Sequence, residues 1–139
     1  MSRLAKIILL FLLFGLLAFG IVKGYIYYLN HKPHRDVSKE QGIRVTARQI
    51  FSEFQANESL ANQKYLNNAV EVTGEVAEAK TNQDNKAVVL LKADDPVFGV
   101  NCTFKEDPGP IQPGTSITFK GICTGFLSDV VINEGVLVK

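Results

Sequence analysis

The feature that most constrains the fold of this chain is the alternation of apolar and polar residues along the stretch 116–132, SITFKGICTGFLSDVVI. The alternate residues that share one face of its first half are Ile117, Phe119, Gly121 and Cys123. Period-two alternation that is rich in β-branched and aromatic residues is typical of half-buried strands. The stretch therefore predicts two β-strands, joined by a short turn around Gly125.

Other stretches predict three further strands, over 70–79, 87–92 and 98–104. Gly74 lies inside the first of these, and a glycine within a strand often marks a bulge or a bend at the corner of a barrel. The segment 105–114 contains three prolines and two glycines, so it cannot hold a long helix. Five short strands at this spacing indicate a small barrel or sandwich.

The predicted strand faces assign several large side chains to the core. These are Phe98, Val100, Cys102 and Phe104 on one strand, with Phe119 and Cys123 on another. For the two cysteines the sequence leaves two alternatives open: a pair of buried free thiols or one Cys102–Cys123 disulfide. Their spacing fits neither a CxxC motif nor a zinc pattern.

A helical region is expected ahead of the strands. Thr46 and Gln49 have the spacing of a capping box, and Ile50, Phe51 and Phe54 form an apolar stripe at helical spacing. Asn57 can cap a second short helix. The residues of that helix expected to share its buried face are Leu60, Ala61 and Tyr65.

The N-terminal region carries an apolar run, residues 7–22, that continues through a tyrosine-rich end to residue 29. About 20 apolar residues cross a bilayer, and tyrosines suit the membrane–water interface. We therefore expect a membrane anchor over 1–29, a polar linker over 30–44 and a folded domain over 45–139. A signal peptide cleaved after the small-x-small sequence at Ala18–Gly20 is the competing interpretation.

Charge and residue types argue against several functions. Residues 70–139 contain 6 basic and 10 acidic side chains, whereas nucleic-acid binders usually carry a basic patch. Both histidines, His31 and His34, lie in the linker, so no Ser/His/Asp set is available and two isolated histidines do not complete a metal site. We expect no enzymatic activity, no metal and no cofactor.

Several strings together resemble one known family. They are YL at 65–66, VEVTGEV at 70–76, VNCTF at 100–104, PGTSITFKGICTGF at 113–126 and DVVI at 129–132. They resemble the bacterial tRNA-anticodon-binding-like OB-fold family over about residues 45–138, and the string beginning ITFKGICTGFL is the specific part. The resemblance implies a five-stranded Greek-key OB barrel preceded by one or two short α-helices. Members often carry a further Cys where this chain has Gly135.

OB folds bind ligands on the face of their second and third strands and on the adjoining loops. The expected binding residues are therefore Lys80, Lys86, Lys92, Asn101, Thr103 and Lys105. The expected function is a membrane-tethered, extracytoplasmic module that binds a protein, peptide or oligosaccharide. The alternative is a single-stranded nucleic-acid-binding domain.

The expected location is the bacterial inner membrane, crossed once by residues 7–29, with the domain on the periplasmic side. A short N-terminal tail ahead of a first apolar segment usually stays in the cytoplasm, which supports this orientation. The expected partners are an envelope protein or a glycan. The single GxxxG at Gly20 and Gly24 does not decide the oligomeric state.

Overall fold

The structure, a computed structural model, describes residues 1–31 and 35–139, so His34 of the linker pair lies outside the described residues. The chain divides into two units, residues 1–35 and 36–139. The first unit holds helix α1 (Arg3–Asn30), none of whose side chains is buried. By length and composition α1 could cross a membrane, although a signal sequence would pass the same test.

The second unit begins with a 3₁₀ turn, Val37–Lys39, and contains six strands and two further helices. In chain order these are β1 (Ile43–Thr46), α2 (Ala47–Ala56), α3 (Glu58–Tyr65), β2 (Ala69–Thr81), β3 (Ala87–Lys92), β4 (Gly99–Phe104), β5 (Ser116–Leu127) and β6 (Asp129–Val138). The five strands expected from the sequence correspond to β2–β6.

Strands β2 to β6 close into a barrel in the order β2-β3-β4-β6-β5, with β5 pairing back to β2. The pairs are antiparallel except β4 and β6, which run parallel with Cys102 opposite Ile132. This parallel pair arises because β6 lies between β4 and β5 and pairs with both, instead of pairing with β5 alone. The arrangement is the Greek-key OB barrel, and the predicted fold class is confirmed.

Strand β1 adds a sixth strand that the sequence analysis did not predict. It runs parallel to β2, with Val45 opposite Val72. On that side of β2 the pairing with β3 begins only at Val76, so β1 occupies the edge that would otherwise be open. Val37 in the preceding 3₁₀ turn is also buried, so ordered structure begins within the segment 30–44 that was expected to be a linker.

Helix α2 plugs one end of the barrel with its apolar stripe. Ile50, Phe51 and Phe54 are all buried in the core, as predicted. Phe54 stacks on Phe126 of β5 with ring centroids 5.6 Å apart. The loop between β4 and β5 is helical in many OB folds, but residues 105–115 of this chain form no helix.

The helix caps agree with the sequence in part. The backbone N–H of Gln49 donates to Thr46 Oγ1 at 3.1 Å, and that of Leu60 donates to Asn57 Oδ1 at the same distance. The reciprocal half of the predicted capping box is absent, because the Gln49 side chain donates to Glu53 instead. Ala61 and Tyr65 are buried, but Leu60 is exposed, so its assignment to the buried face was wrong.

Two further expectations about the strands need correction. Gly125 is a bulge residue within β5 (φ 130°), and the turn is at Ser128 (φ 70°). The register shift in β2 falls between Val76 and Glu78, while Gly74 pairs regularly with Ile117. Gly74 is required for a different reason: a Cβ there would lie 2.9 Å from Ala47 Cβ of the plug helix.

Phe98 was assigned to the core, and this was also wrong. Strand β4 begins at Gly99, one residue later than the alternation suggested, and Phe98 lies in the preceding turn with 42% of its surface exposed. Phe104 and Phe119 are buried as predicted and meet edge to face with centroids 4.9 Å apart.

Candidate functional site

The six expected binding residues lie on or beside one outer wall of the barrel, formed by the second half of β2 together with β3 and β4. Val88 pairs with Lys80 on one side and with Thr103 on the other, so these three residues form one row across the wall. The next row contains Leu90 and Asn101. Strand geometry thus brings Lys80, Asn101 and Thr103 within about 10 Å of each other.

Three of the four lysines at this wall are paired with glutamates. Lys92 Nζ lies 2.6 Å from Glu75 Oε1. The Lys86–Glu134 and Lys80–Glu78 contacts are longer, 3.5 and 3.9 Å. Glu75 and Glu134 were not predicted as part of the site, because they are 17 and 48 residues from their lysines in the chain and leave no local sequence signal. Glu78, two residues from Lys80, was not predicted either. The wall is therefore close to electrically neutral.

Lys105 is the exception among these lysines. It makes no ion pair within the part of the chain that the structure describes, and it follows directly after β4. Its backbone N–H donates to Gly135 O at 2.9 Å, which fixes the start of the β4–β5 loop against β6. The free positive charge of the wall is thus confined to the end where this loop begins.

A shallow groove of about 270 Å³ borders the wall near the end of β3. Its apolar lining includes Ala77, Leu90, Pro96, Val97 and Phe98, and Lys92 and Asp95 supply charge at its edge. It differs from the lysine-bearing surface because most of its lining is apolar. A groove of this kind fits an apolar side chain better than a phosphate.

The turn before β4 is held by Asp95. Its Oδ1 accepts the backbone N–H groups of Phe98 and Val97, both at 2.8 Å. These two hydrogen bonds lower the pKa of Asp95 below its ordinary value. Phe98 is the one aromatic side chain of residues 36–139 that is exposed, and Asp95 fixes its place beside the groove.

Cys102 and Cys123 are buried as predicted and are free thiols. They lie on opposite sides of β6, each across from Ile132. Two strand spacings put their Cα atoms about 8–10 Å apart, whereas a disulfide needs about 4.4–6.8 Å. Of the two predicted states of the cysteines, the structure therefore contains the pair of free thiols. Burial raises the pKa of both thiols.

The side chains that could ligate a metal are scattered over the described part of the chain. They form no group of three or more His, Cys, Asp or Glu side chains close enough to hold an ion. The carboxylates of the candidate wall instead lie against its lysines.

The closed barrel with its parallel β4–β6 pair defines the chain as an OB-fold protein with an N-terminal apolar helix. Within that class, the model of the tRNA_anti-like family matches residues 1–135. The chain belongs to the tRNA_anti-like family, and the resemblance noted from its strand sequences is confirmed. The match also includes α1, which lay outside that resemblance.

Two solved structures are similar to this chain. A candidate nucleic acid-binding lipoprotein from Klebsiella pneumoniae aligns with 19% identity and a TM-score of 0.52, over 78% of this chain and 100% of its own. Yeast Stn1 and Ten1 align with 13% identity and a TM-score of 0.44, over 73% of this chain and 65% of that one. No curated protein matches the sequence. At 19% identity, the alignment with the lipoprotein supports the fold alone.

Proposed function

We propose that this protein is a non-catalytic binding module, tethered to a bacterial inner membrane by α1 with its OB barrel on the periplasmic side. The ligand lies across the outer wall of β2, β3 and β4 and is an envelope protein, a peptide or an oligosaccharide. The length and apolar composition of α1 support the tether. The OB fold supports the placement of the ligand.

The observation that carries the proposal is the charge balance of the wall. A phosphate backbone is held by unpaired cations along a positive groove. Here Lys80, Lys86 and Lys92 are each within 4 Å of a glutamate, which leaves Lys105 as the free cation of the set. A neutral wall with amide and hydroxyl groups between apolar residues suits a polypeptide or a glycan.

Between these ligands the groove beside the wall favours a polypeptide. Interfaces with proteins are anchored by an apolar or aromatic side chain that fills a pocket, surrounded by polar contacts. The groove that contains Leu90 and Pro96 supplies the pocket, and Asn101 and Thr103 supply neighbouring polar groups. An extended peptide could contact both along the wall.

The burial of the thiols supports a non-catalytic role. Nucleophilic cysteines need an exposed thiolate with a lowered pKa. Cys102 and Cys123 have no accessible surface, and their pKa values are raised by burial. Both cysteines of the barrel are therefore part of its core.

Site-specific photo-crosslinking in membranes tests the proposal. A photoreactive amino acid replaces Thr103 on the proposed wall. In a matched control it replaces Thr118, which lies on β5 next to Thr73 and away from that wall. We expect a discrete adduct with an envelope protein at position 103 and none at 118. Equal labelling at both positions, or none at either, would contradict the proposed wall.

A second candidate function is single-stranded nucleic acid binding, and the exposed ring of Phe98 favours it. Bases stack on exposed aromatic side chains, and Phe98 lines the same groove as Lys92. Fluorescence anisotropy with a single-stranded oligonucleotide tests this candidate. Binding that weakens with salt and is lost in Phe98→Ala would support it, whereas no binding at low salt would end it.

A further inference from the structure

The second half of β2 has a neighbouring strand on one side only. Strand β3 pairs with β2 up to the last residue of β2. On the other side, the pairing with β5 ends at Glu75. Val76 makes the last two backbone bonds on that side, donating to Thr115 O at 2.8 Å and accepting from the N–H of Gly114 at 2.7 Å. Beyond Val76, residues 77–81 run along an open edge, which we call the β2 edge.

The ladder between β2 and β3 decides which backbone groups point to the β2 edge. At the hairpin the backbone N–H of Asn82 donates to Lys86 O at 3.0 Å, so Asn82 directs its backbone groups toward β3. Successive residues of an antiparallel strand alternate in this respect. Lys80 therefore bonds to β3 as well, while Ala79 and Thr81 direct their N–H and C=O groups to the β2 edge. Among the described residues, no backbone hydrogen bond reaches Ala79 or Thr81 from that side.

The β4–β5 loop faces the β2 edge without pairing with it. A gap of about 200 Å³ lies between the two, and on the loop side it is lined by Asp107, Pro108, Gly109 and Ile111. The loop is unsuited to supply the missing strand, because Pro108 and Pro110 have no N–H to donate. Gly109 between them has φ 83°, which is far from the extended conformation of a strand. The composition of this loop therefore keeps the β2 edge open.

The two faces of the sheet at the β2 edge differ in character. Ala79 pairs with Val89 of the core, so its side chain lies on the interior face, where Ile111 also packs against the core. Lys80 lies on the outer face, in the same row as Thr103 of the proposed wall. A strand added at this edge would alternate between the two faces. Its small or apolar side chains would enter the gap, and its polar side chains would continue the row of the wall.

We propose that the polypeptide ligand of the wall binds by strand addition, so that an extended segment of the partner pairs with the β2 edge through its own main chain. This binding mode rests on the function proposed above. Outward N–H and C=O groups repeat about every 7 Å along a strand edge and match the same repeat in another extended polypeptide. A glycan lacks this repeat of donors and acceptors. The bound segment needs free N–H groups where it faces Ala79 and Thr81, so proline is excluded there.

Amide hydrogen exchange tests whether the β2 edge is open. In the full-length protein in detergent micelles, we expect the N–H groups of Ala79 and Thr81 to exchange about tenfold faster or more than that of Lys80, which is bonded to β3. Heteronuclear NMR resolves the three amides. Equal protection of all three would show that the chain covers its own edge and would overturn the proposal.

Removal of one N–H at the β2 edge tests strand addition itself. Ala79→Pro removes a donor that faces the edge and leaves the bonds of Lys80 to β3 in place, and proline is tolerated at such positions of edge strands. Ala79→Gly keeps the N–H and is the matched control for local loosening. Each is combined with the photoreactive amino acid at position 103, two strands away. We expect a protease-sensitive adduct that falls about fivefold or more in Ala79→Pro and changes less than about twofold in Ala79→Gly.

Failure of this binding mode and failure of the proposed function give different results. An adduct at position 103 that is equally strong in Ala79→Pro and in the parent protein refutes strand addition alone. The absence of any adduct in the parent protein refutes the proposed wall and strand addition with it. An adduct of twice the mass of the chain would show that a second copy occupies the edge, which would overturn the proposed partner. If thermal unfolding shows that Ala79→Pro does not fold, Thr81→Pro takes its place, with the same expected loss.

Discussion

The identity of Gly135 is dictated by the packing of one neighbouring side chain. Phe119 places its ring where a side chain at position 135 would lie, so that any Cβ there would overlap the ring. The position is not among the glycines with positive φ, so its requirement is for space rather than for conformation. A Cys at position 135 would therefore need a smaller or displaced side chain at position 119.

Replacement of Gly135 should destabilise the barrel. We expect Gly135→Ala to lower the free energy of unfolding by about 1–3 kcal/mol, because the added methyl overpacks the core. The double variant Gly135→Ala/Phe119→Leu should recover part of the loss. Gly109→Ala, at a positive-φ position with open space around it, controls for backbone strain and should cost about 1 kcal/mol. Urea unfolding measures the free energy of unfolding of all three variants. An unchanged value for Gly135→Ala would contradict the close packing of Phe119 against position 135.

The two thiols should react only when the barrel opens. Because Cys102 and Cys123 have no accessible surface, we expect a thiol reagent to modify the native domain no faster than it unfolds. In denaturant, without reductant, both should be modified at once. If both thiols stayed unmodified in denaturant until a reductant was added, they would form a disulfide. The strands β4, β5 and β6 would then need a different register, because their present pairing holds the two Cα atoms too far apart.

Sequence reasoning assigned Leu60 and Phe98 to buried faces, but both side chains are exposed. Phe98 fits the alternation of β4, but Asp95 caps the turn and holds Phe98 outside the strand. Periodicity predicts which residues share a face, whereas burial depends on neighbours that are distant in the chain. The predicted OB fold indicated that Lys80, Asn101 and Thr103 share one surface, but it did not indicate the glutamates beside the lysines.

Among the elements, α2 and α3 are held together through one carboxylate. Glu53 accepts hydrogen bonds from Gln49 Nε2 at 3.0 Å, from Lys64 Nζ at 3.1 Å and from Tyr65 OH at 2.8 Å. Partial burial raises the pKa of Glu53, but the three hydrogen bonds outweigh it and hold the pKa below the ordinary value. The contacts at this junction between α2 and α3 therefore favour the ionised carboxylate of Glu53.

The junction should make stability depend on pH on the acidic side. A lowered pKa in the folded state adds stability that is complete above the ordinary value of 4.5 and is lost as the pH falls through the folded pKa. We expect the free energy of unfolding to decline below about pH 5, and the decline to be shallower in Glu53→Gln. Glu58→Gln, an exposed carboxylate on α3, is the control. Equal slopes in both variants would contradict this role.

The elements β2 to β6 could be predicted because each carries at least six residues of strand pattern bounded by turn residues. Strand β1 could not, since its four residues are too few to establish a period and its place depends on where β3 begins to pair with β2. The stripe on α2 predicted a packed face. That this face closes the barrel follows only from the topology, and no local signal records it.

At the scale of the whole molecule, the stable domain should begin at residue 36 rather than at 45. We expect the fragment 36–139 to unfold at the same temperature as the full chain in detergent, because it contains the whole core. The fragment 45–139 loses Val37 and half of β1, and its free energy of unfolding should fall by about 2–4 kcal/mol. Thermal unfolding by circular dichroism compares the three chains, and equal midpoints for the two fragments would place the boundary at 45.

The position of β6 has a consequence for the order in which the barrel can form. It is the last strand in chain order, yet it lies between β4 and β5 and pairs with both. Until Asp129–Val138 has emerged from the ribosome or from a translocation channel, β4 and β5 expose unpaired edges and Phe104 and Phe119 lack the strand that covers them. Closure is therefore a late, long-range event, which predicts slow folding and a nascent chain that is prone to aggregate until its final strand is inserted.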